Sequence, residues 1–432
     1  MADMVEILYG NDVTPGQIRA RFGTEYKEAE ETVRAILEDV RQNGDAALFA
    51  YAKKFDRAEL TSLLVSEQEI DEAVAAIDPA FYETLELAAE NIRDFHKRQV
   101  RQGFSVSEHK GVLMGQRVLP LERVGLYVPG GTASYPSTVL MNAIPAKIAG
   151  VREIALATPP VPGGRIAAPI LAAARVAGVE RIYKMGGAQA IAAFAYGTES
   201  VRRVDKITGP GNMYVATAKR MVYGLVDIDM IAGPSEILVI ADDSADPFYV
   251  AADLLSQAEH DAMAASILLT TSETLAKAVQ SELSRQVALL PRREIAERSL
   301  RENGRIVVVN SLFEAADLSN EIAPEHLELC VVDPFSIMGL IRHAGSIFLG
   351  NYAPEALGDY FAGPNHTLPT NGAARFSSPL SVDDFVKKSS FLYYTREALC
   401  AVQERIADFA EREGLSAHAR SVRIRFEGED KA

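Results

Sequence analysis

Hydrophobic and polar positions follow two different periods along the chain. Up to about residue 110, apolar residues recur at helical spacing, as in "TEYKEAEETVRAILEDV" and "FYETLELAAENIRDF", with charged residues between them. From about residue 120, short apolar runs such as "RVGLYV", "EIALAT" and "RIYK" are each followed by a helical pattern. Strands that alternate with helices in this way are typical of βαβ units, so the pattern predicts a parallel sheet.

A second series of the same kind follows in "EILVIADD", "ASILLTT" and "RIVVVNS", and the pattern beyond about residue 380 is largely helical. We therefore predict an α/β protein with two doubly wound, Rossmann-like domains and small helical N- and C-terminal extensions. Neither domain carries a GxGxxG fingerprint. The predicted divisions are an N-terminal extension at 1–23, a larger domain at 24–127 with 236–380, an inserted domain at 128–235 and a C-terminal tail at 381–432.

Charge and cysteine content narrow the possible partners. The 432 residues include 44 Lys and Arg against 59 Asp and Glu, a net charge of −15 that repels nucleic acid and anionic membranes. We see no signal-peptide pattern and no apolar run long enough to cross a bilayer. The two cysteines, Cys330 and Cys400, lack CxxC spacing, which excludes a disulfide framework. We expect a cytoplasmic protein that binds neither nucleic acid nor membranes.

Glu325 and His326, in "NEIAPEHLELC", form the strongest local candidate for catalysis. Adjacent residues within a strand face opposite sides, but Pro324 stands at the entrance of this predicted strand and can break that alternation. Both side chains could then serve one site. Histidine titrates near neutrality, and a neighbouring carboxylate can orient it or take a proton from water. A solvated strand start fits the same pattern equally well.

Three glycine turns follow predicted strands, at 128–131, 185–187 and 208–212. Glycine lets backbone N–H groups approach a phosphate closely, so the three turns together favour a nucleotide, although any one of them fits an ordinary turn better. Tyr127, just before the first turn, could stack on a flat ring or fill the sheet.

Several histidines lie near other possible metal ligands. Gln257 and His260 are three apart in the predicted helix "DLLSQAEHD" and should share a face. Asp359 and His366 lie in a Gly/Pro-rich segment without a regular period, and His418 lies near the C-terminus. Oxygen and imidazole ligands of this kind suit zinc, but an ordinary polar surface explains each pair on its own.

Seven segments, taken together and in this order, resemble the histidinol dehydrogenase family. They are "ERVGLYVPGGTASYPSTVLMNAIPAKIAGV", "GPGNMYVATAKR", "AGPSEILVIAD", "DLLSQAEHD", "NEIAPEHLEL", "GDYFAGPNHTLPT" and "EGLSAHARSVRIR". The resemblance covers almost the whole chain. It implies a zinc-dependent, NAD-linked, four-electron oxidation of L-histidinol to L-histidine through L-histidinaldehyde, the last step of histidine biosynthesis, carried out by a homodimer.

The resemblance also implies the residues of the site. The catalytic residues would be Glu325 and His326. One zinc ion per subunit would be bound by Gln257, His260, Asp359 and His418. NAD would be held by Tyr127, Gln189 and Asn212. The substrate would contact the four zinc ligands together with Ser235, His326, His366 and Glu413. The C-terminal tail would reach the partner subunit, so that His366, Glu413 and His418 complete the neighbouring site.

Three alternatives stay open on the sequence alone. A related zinc- and NAD-dependent enzyme could oxidise another small polar alcohol, such as sulfopropanediol, although Ser235 and Glu413 suit a cationic, imidazole-bearing substrate better. A non-catalytic metal- or nucleotide-binding protein would tolerate changes at Glu325 and His326. An aldehyde dehydrogenase could use Cys330 as its nucleophile, but this residue has no flanking base and lies in an alternating strand, which favours packing.

Overall fold

Two parallel sheets and one small antiparallel sheet make up the strands of the protein, described from a computed structural model at residues 4–10, 25–130 and 134–427. The predicted N-terminal extension lies largely outside the described residues, as does Gly131 of the first glycine turn. The chain divides into a larger unit, Met1–Val100 with Leu121–Phe385, and a smaller one, Arg101–Pro120 with Val386–Ala432.

Strands and helices alternate through most of the larger unit, and the elements of both units are numbered together along the described chain. The strands are β1 Ile7–Tyr9, β2 Phe104–Val106, β3 Val112–Pro120, β4 Arg123–Tyr127, β5 Glu153–Thr158, β6 Arg181–Lys184, β7 Lys206–Thr208, β8 Asp227–Ile228, β9 Glu236–Ala241, β10 Ala265–Thr270, β11 Arg305–Val308, β12 His326–Cys330, β13 Ser346–Leu349 and β14 Val386–Tyr394. The α-helices are α1 Glu25–Phe55, α2 Glu67–Ala76, α3 Pro79–His96, α4 Pro136–Ala149, α5 Ala168–Ala177, α6 Gly187–Tyr196, α7 Met213–Val222, α8 Pro247–Ala258, α9 Glu273–Val287, α10 Arg293–Asn303, α11 Leu312–Ile322, α12 Pro334–Met338, α13 Glu355–Tyr360, α14 Arg396–Cys400, α15 Gln403–Arg412 and α16 Ser416–Arg423. Among the described residues, no helix combines the length and the apolar character needed to cross a membrane.

The first parallel sheet has five strands in the order β6-β5-β4-β7-β8 and is covered on both faces. Ile154 and Leu156 of β5 join a core formed with α2, α3, α4 and α5. Ala155 and Ala157 of the same strand join the opposite core, formed with α1, α6 and α7. Because successive strand residues face opposite sides, a strand covered on both faces is apolar at its inner positions on both sides, as residues 154–157 of β5 are.

The connections of this sheet create a point where the strand order reverses. The chain runs outward from β4 through β5 to β6 and then returns to place β7 on the other side of β4. The segments that follow β4 and β7 therefore leave in opposite directions and open a crevice at the carboxyl edge of the sheet. Crevices of this kind are the usual ligand sites of open α/β sheets.

The second parallel sheet has six strands in the order β1-β11-β10-β9-β12-β13. On one face, Ile237 and Val239 of β9 pack with α8, α9 and α10. On the other face, Leu238 and Ile240 pack with α11 and α12. The predicted α/β class with parallel sheets is confirmed.

The smaller unit is built on a three-stranded antiparallel sheet in the order β14-β3-β2, followed by α14, α15 and α16. The prediction of helix beyond residue 380 is wrong for β14, which pairs with β3 along its full length. The aromatic run Phe391–Tyr394 favours a strand, and a long partner strand outweighs the helical spacing. Ala407, Ala410 and Ala419 form a small apolar contact between α15 and α16.

Gly125, in the middle of β4, should tolerate no side chain. A Cβ atom there would lie 2.6 Å from the ring of Phe194 on α6, so alanine would force the helix away from the sheet. We expect Gly125→Ala to lower the free energy of unfolding by about 1–3 kcal/mol, measured by denaturant titration. Gly339→Ala is the control, because Gly339 has a helical φ of −62° and its nearest neighbour is 3.5 Å away. Equal stability of the two variants would contradict this packing.

Candidate active site

The two candidate catalytic residues lie at the amino edge of the six-stranded sheet. Glu325 directly precedes β12, and His326 is the first residue of that strand. Glu325 Oε2 lies 3.7 Å from His326 Nδ1, and both residues are buried. The two side chains therefore converge, because the regular alternation of β12 begins only at His326.

The main chain of Glu236, the first residue of β9, holds both side chains. Its N–H donates to Glu325 Oε2 at 2.9 Å, and its carbonyl oxygen lies 3.1 Å from His326 Nδ1. A carbonyl oxygen only accepts hydrogen bonds, so Nδ1 carries a proton in either charge state of the ring, and Nε2 has a free lone pair in the neutral form. Within the described residues, His326 Nε2 has no hydrogen-bond partner.

Carboxylates surround the imidazole. Glu355 Oε1 lies 3.8 Å from His326 Nδ1, and Asp359 Oδ1 lies 3.5 Å from Nε2. Burial acts to lower the pKa of His326, but Glu355, Glu325 and Asp359 together raise it well above its usual value. One ligand atom each from His326, Glu355 and Asp359 lie within 4.8 Å of one another, close enough to share a metal ion.

Glu325 has the electrostatic properties of a general base. Burial raises its pKa to about 7, although the hydrogen bonds from the Glu236 N–H and the Ser235 hydroxyl act in the opposite direction. A carboxylate that titrates near neutrality can take a proton at ordinary pH and release it again. Ser235 therefore contacts the candidate base directly, although its predicted role was to contact substrate.

Gln257 and His260 lie at the end of α8. Gln257 is completely buried, and neither its amide oxygen nor its amide nitrogen has a hydrogen-bond partner in the described part of the chain. The helix ends at Ala258, so the prediction of one helix through both residues is wrong for His260, which lies in the following turn. His260 is exposed, yet the protein around its ring lowers its pKa, an effect that Asp359 opposes.

Asp359 and His366 come together as well. Asp359 lies on the short helix α13, not in an irregular segment as the sequence indicated, because helical φ/ψ angles extend through Tyr360. Its backbone carbonyl lies 3.0 Å from His366 Nδ1, and the Thr138 hydroxyl lies 3.4 Å from His366 Nε2. His366 therefore lies beside Asp359 of its own chain, and its predicted role in completing the neighbouring site stays a prediction.

The three residues predicted to hold NAD follow strands of the five-stranded sheet. Tyr127 is buried at the end of β4, where its hydroxyl accepts a hydrogen bond from the Gly187 N–H at 3.0 Å. Gln189 is buried in the first turn of α6. Asn212 is exposed and caps α7, its side-chain oxygen accepting from the N–H groups of Tyr214 and Val215. All three lie at the carboxyl edge.

Comparison with known proteins identifies the family. The histidinol dehydrogenase family model matches residues 19–426. A histidinol dehydrogenase from Bacillus thuringiensis subsp. konkukian (strain 97-27) is 58% identical over 400 residues, which cover 93% of each chain. One from Clostridium acetobutylicum (strain ATCC 824) is 54% identical over 409 residues, 95% of each chain. The chain belongs to the histidinol dehydrogenase family.

The fold is also that of a solved member of the family. The crystal structure of histidinol dehydrogenase from Elizabethkingia anophelis has a TM-score of 0.92 and 39% identity, and the alignment covers 100% of both chains. The two parallel sheets therefore belong to the architecture of a histidinol dehydrogenase.

The remaining predicted residues of this histidinol dehydrogenase family member lie in the smaller unit. Glu413 directly follows α15, and His418 lies in the first turn of α16. Both are exposed. The roles of these two residues stay predictions.

Cys330 occupies the opposite end of β12 from His326. At the rise of a parallel strand, four residue steps separate the two by about 13 Å. Cys330 is 4% exposed, and burial raises the pKa of its thiol well above the usual value. A thiol so far from the cluster and so difficult to ionise suits packing, which agrees with the sequence interpretation.

Three acidic residues of the cluster's surroundings were not predicted. Glu236 supplies the main-chain groups that hold Glu325 and His326, Glu355 flanks His326, and Glu328 accepts the Glu355 N–H at 2.8 Å. The spacing of Glu355 and Asp359, four residues apart, could have indicated a shared helix face. Glu236 and Glu328 carried a different signal, a buried carboxylate at the start of β9 and one in the middle of β12, which is uncommon without a partner.

Proposed function

We propose that this chain is an NAD-dependent, zinc-requiring enzyme that oxidises L-histidinol to L-histidine through L-histidinaldehyde, the last step of histidine biosynthesis. Membership of the histidinol dehydrogenase family supports the substrate. The observation that carries the proposal is the buried pair Glu325–His326, in which His326 Nε2, like the buried Gln257 amide, has no hydrogen-bond partner among the described residues.

His326 would act on the alcohol. Oxidation of an alcohol requires a base that takes the hydroxyl proton while hydride leaves from carbon. The hydrogen bond of Nδ1 to the Glu236 carbonyl orients the ring and leaves Nε2 to accept that proton. The protonated ring can then give this proton to the aldehyde oxygen as water adds, and the neutral ring can take a proton from the hydrate as the second hydride leaves, so one imidazole can serve both oxidation steps.

Glu325 would act on water in the second step. The aldehyde must add water before it can lose a second hydride, and this addition needs a base. A carboxylate with a pKa of about 7 suits the task, and its position 3.7 Å from His326 keeps both proton transfers in one place.

Gln257, His260 and Asp359 would hold zinc, together with His418. The fit rests on the donor types, oxygen and imidazole nitrogen, and on the Gln257 amide, whose burial without a partner is costly until a ligand contacts it. When bound, zinc supplies an anchor for the amine and imidazole of the substrate and offsets part of the negative charge around His326. Glu355 lies close enough to be an alternative ligand.

Tyr127, Gln189 and Asn212 would hold NAD, which would supply the acceptor for one hydride per molecule, so that two NAD molecules are used in turn for each substrate. The support is topological, since Tyr127 ends β4 and Asn212 follows β7, the two strands at which the strand order reverses, and Gln189 lies at the same carboxyl edge after β6. The N-termini of α6 and α7 open at the same edge, and their N–H groups suit a pyrophosphate. The Asn212 oxygen already caps α7, so its amide N–H groups are the part available to a ligand.

The chain would work as a homodimer in which the C-terminal tail of each subunit brings Glu413 and His418 to the partner's site. Glu413 would then meet the substrate amine, which favours histidinol over an anionic alcohol such as sulfopropanediol. A site for an anionic substrate would need cations instead of Glu413 and Ser235.

Limiting L-histidinol should yield two NADH per molecule. Prior chelation of metal should abolish the reaction, and added zinc should restore it, because the ligand groups remain in the folded chain. NADH absorbance at the end point, with metal content from the same samples, measures both. One NADH per substrate, or turnover of another alcohol only, would reject the four-electron reaction on histidinol.

Separate substitutions of Glu325 and His326 should distinguish the two oxidation steps. Glu325→Gln keeps an acceptor for the Glu236 N–H but removes the base for water, so oxidation of added histidinaldehyde should fall by about 10²–10⁴-fold and more than oxidation of histidinol. His326→Asn should lower both steps. Stopped-flow NADH formation from each substrate measures the difference, and the exposed His109→Asn is the control. Equal losses of both steps in Glu325→Gln would remove its separate role.

Two inactive variants should complement each other if the tail crosses between subunits. A dimer of His326→Asn with His418→Asn chains contains one site with both histidines intact, although each homodimer has none. Unfolding and refolding the mixed variants should therefore restore part of the activity, measured against each variant refolded alone. No recovery from a mixture that forms heterodimers would show that His418 serves its own chain.

A further inference from the structure

A buried ion pair holds the glycine turn that follows β7. The side chains of Lys219 on α7 and Asp229 after β8 are only 2% and 1% exposed, and they contact each other directly. Lys219 Nζ donates to the Gly209 carbonyl at 2.9 Å, and the Gly209 N–H donates to Asp229 Oδ2 at 2.7 Å. Both polar groups of one glycine are thus bound by the two members of one ion pair.

Gly209 cannot be replaced by another residue in this position. Its φ is +111°, and a Cβ atom would lie 2.0 Å from the carbonyl oxygen of Tyr127. The turn therefore lies directly against the end of β4, and the ion pair fixes it there. Asp229 Oδ1 also accepts the N–H of Met230 at 2.6 Å, which secures the carboxylate itself.

Burial of such a pair needs a reason. Removing two charges from water costs more than their attraction usually returns, and apolar side chains of the same size often stabilise a protein better. Lys219 extends back along α7 toward the turn that precedes this helix, in the direction that helical side chains normally take. It therefore ties the turn to the helix that begins at Met213, directly after Asn212.

We propose that Lys219 and Asp229 are positioning residues for nucleotide binding. They set the position of the 209–212 turn, and with it Asn212 and the N-terminus of α7, against Tyr127. This inference rests on the proposed NAD site and names two residues that act through the turn, without contact to the ligand.

A second buried lysine of the same sheet provides a matched control. Lys206, at the amino end of β7, has a side chain that is 6% exposed and lies 3.1 Å from Asp227 and 3.2 Å from Asp384. It lies at the edge opposite to the turn. A variant at Lys206 thus reports the general cost of removing a buried cation from this sheet.

The experiment compares full-length Lys219→Met and Lys206→Met with the unchanged protein. In calorimetric titration, the Kd of Lys219→Met for NAD should be at least roughly 10-fold higher than that of the unchanged protein. A loss of this size is typical when a group that orients a ligand-binding residue is removed. The KM of this variant for NAD should rise in parallel, whereas KM for histidinol, metal content and kcat at saturating NAD should change little. Lys206→Met should lower Tm and leave NAD affinity unchanged.

The double variant Lys219→Met with Asp229→Asn covers the case in which Lys219→Met does not fold. It removes the unpaired buried charge and keeps an acceptor for the Gly209 N–H, so it should recover stability but still bind NAD weakly. Unchanged NAD affinity in a folded Lys219 variant, or an equal loss in Lys206→Met, would overturn the positioning role. Failure of the unchanged protein to bind NAD would overturn the proposed function together with this inference.

Discussion

The parallel pairing of β9 with β12 is the constraint on which the candidate active site depends. The backbone N–H of Glu236 donates a hydrogen bond to the Glu325 carboxylate, and the backbone carbonyl of Glu236 accepts one from His326 Nδ1. The register that pairs His326 with Ile237 places these groups together. A shift of one residue would turn His326 to the other face of the sheet. The geometry of the two candidate bases is therefore fixed by the strand ladder, which is more rigid than a loop.

The two parallel sheets present their candidate ligand sites at opposite edges, and helix electrostatics explains why. At the carboxyl edge of the five-stranded sheet, α6 and α7 begin, and their positive ends suit phosphate. At the amino edge of the six-stranded sheet, α8 ends at Gln257 and Ala258. Its negative end adds to the nearby carboxylates and suits a cation. An anionic dinucleotide and a metal ion thus fit the edges at which they are proposed.

The sequence predicted the elements well because both sheets are covered on two faces and their strands are almost wholly apolar. The same pattern located Glu325 and His326, since a charged pair at a strand entrance interrupts it. Glu236 and Glu355 could not be assigned in this way, because their roles depend on strand order and on the position of α13. The strand β14 was missed for a related reason, since its partner β3 lies far away in the chain.

Buried charges lower the stability of the two parallel sheets, but they can orient groups that take part in binding or catalysis. Lys206 is buried, but its partner Asp227 is 53% exposed, so solvent reduces the cost of that pair. Lys219 and Asp229 have no such relief, and neither has His326 among its carboxylates. A fully buried charge persists when it orders something that an apolar residue cannot. Lys219 and Asp229 order the backbone of a turn. The charges around His326 serve the proton transfers that we propose for Glu325 and His326.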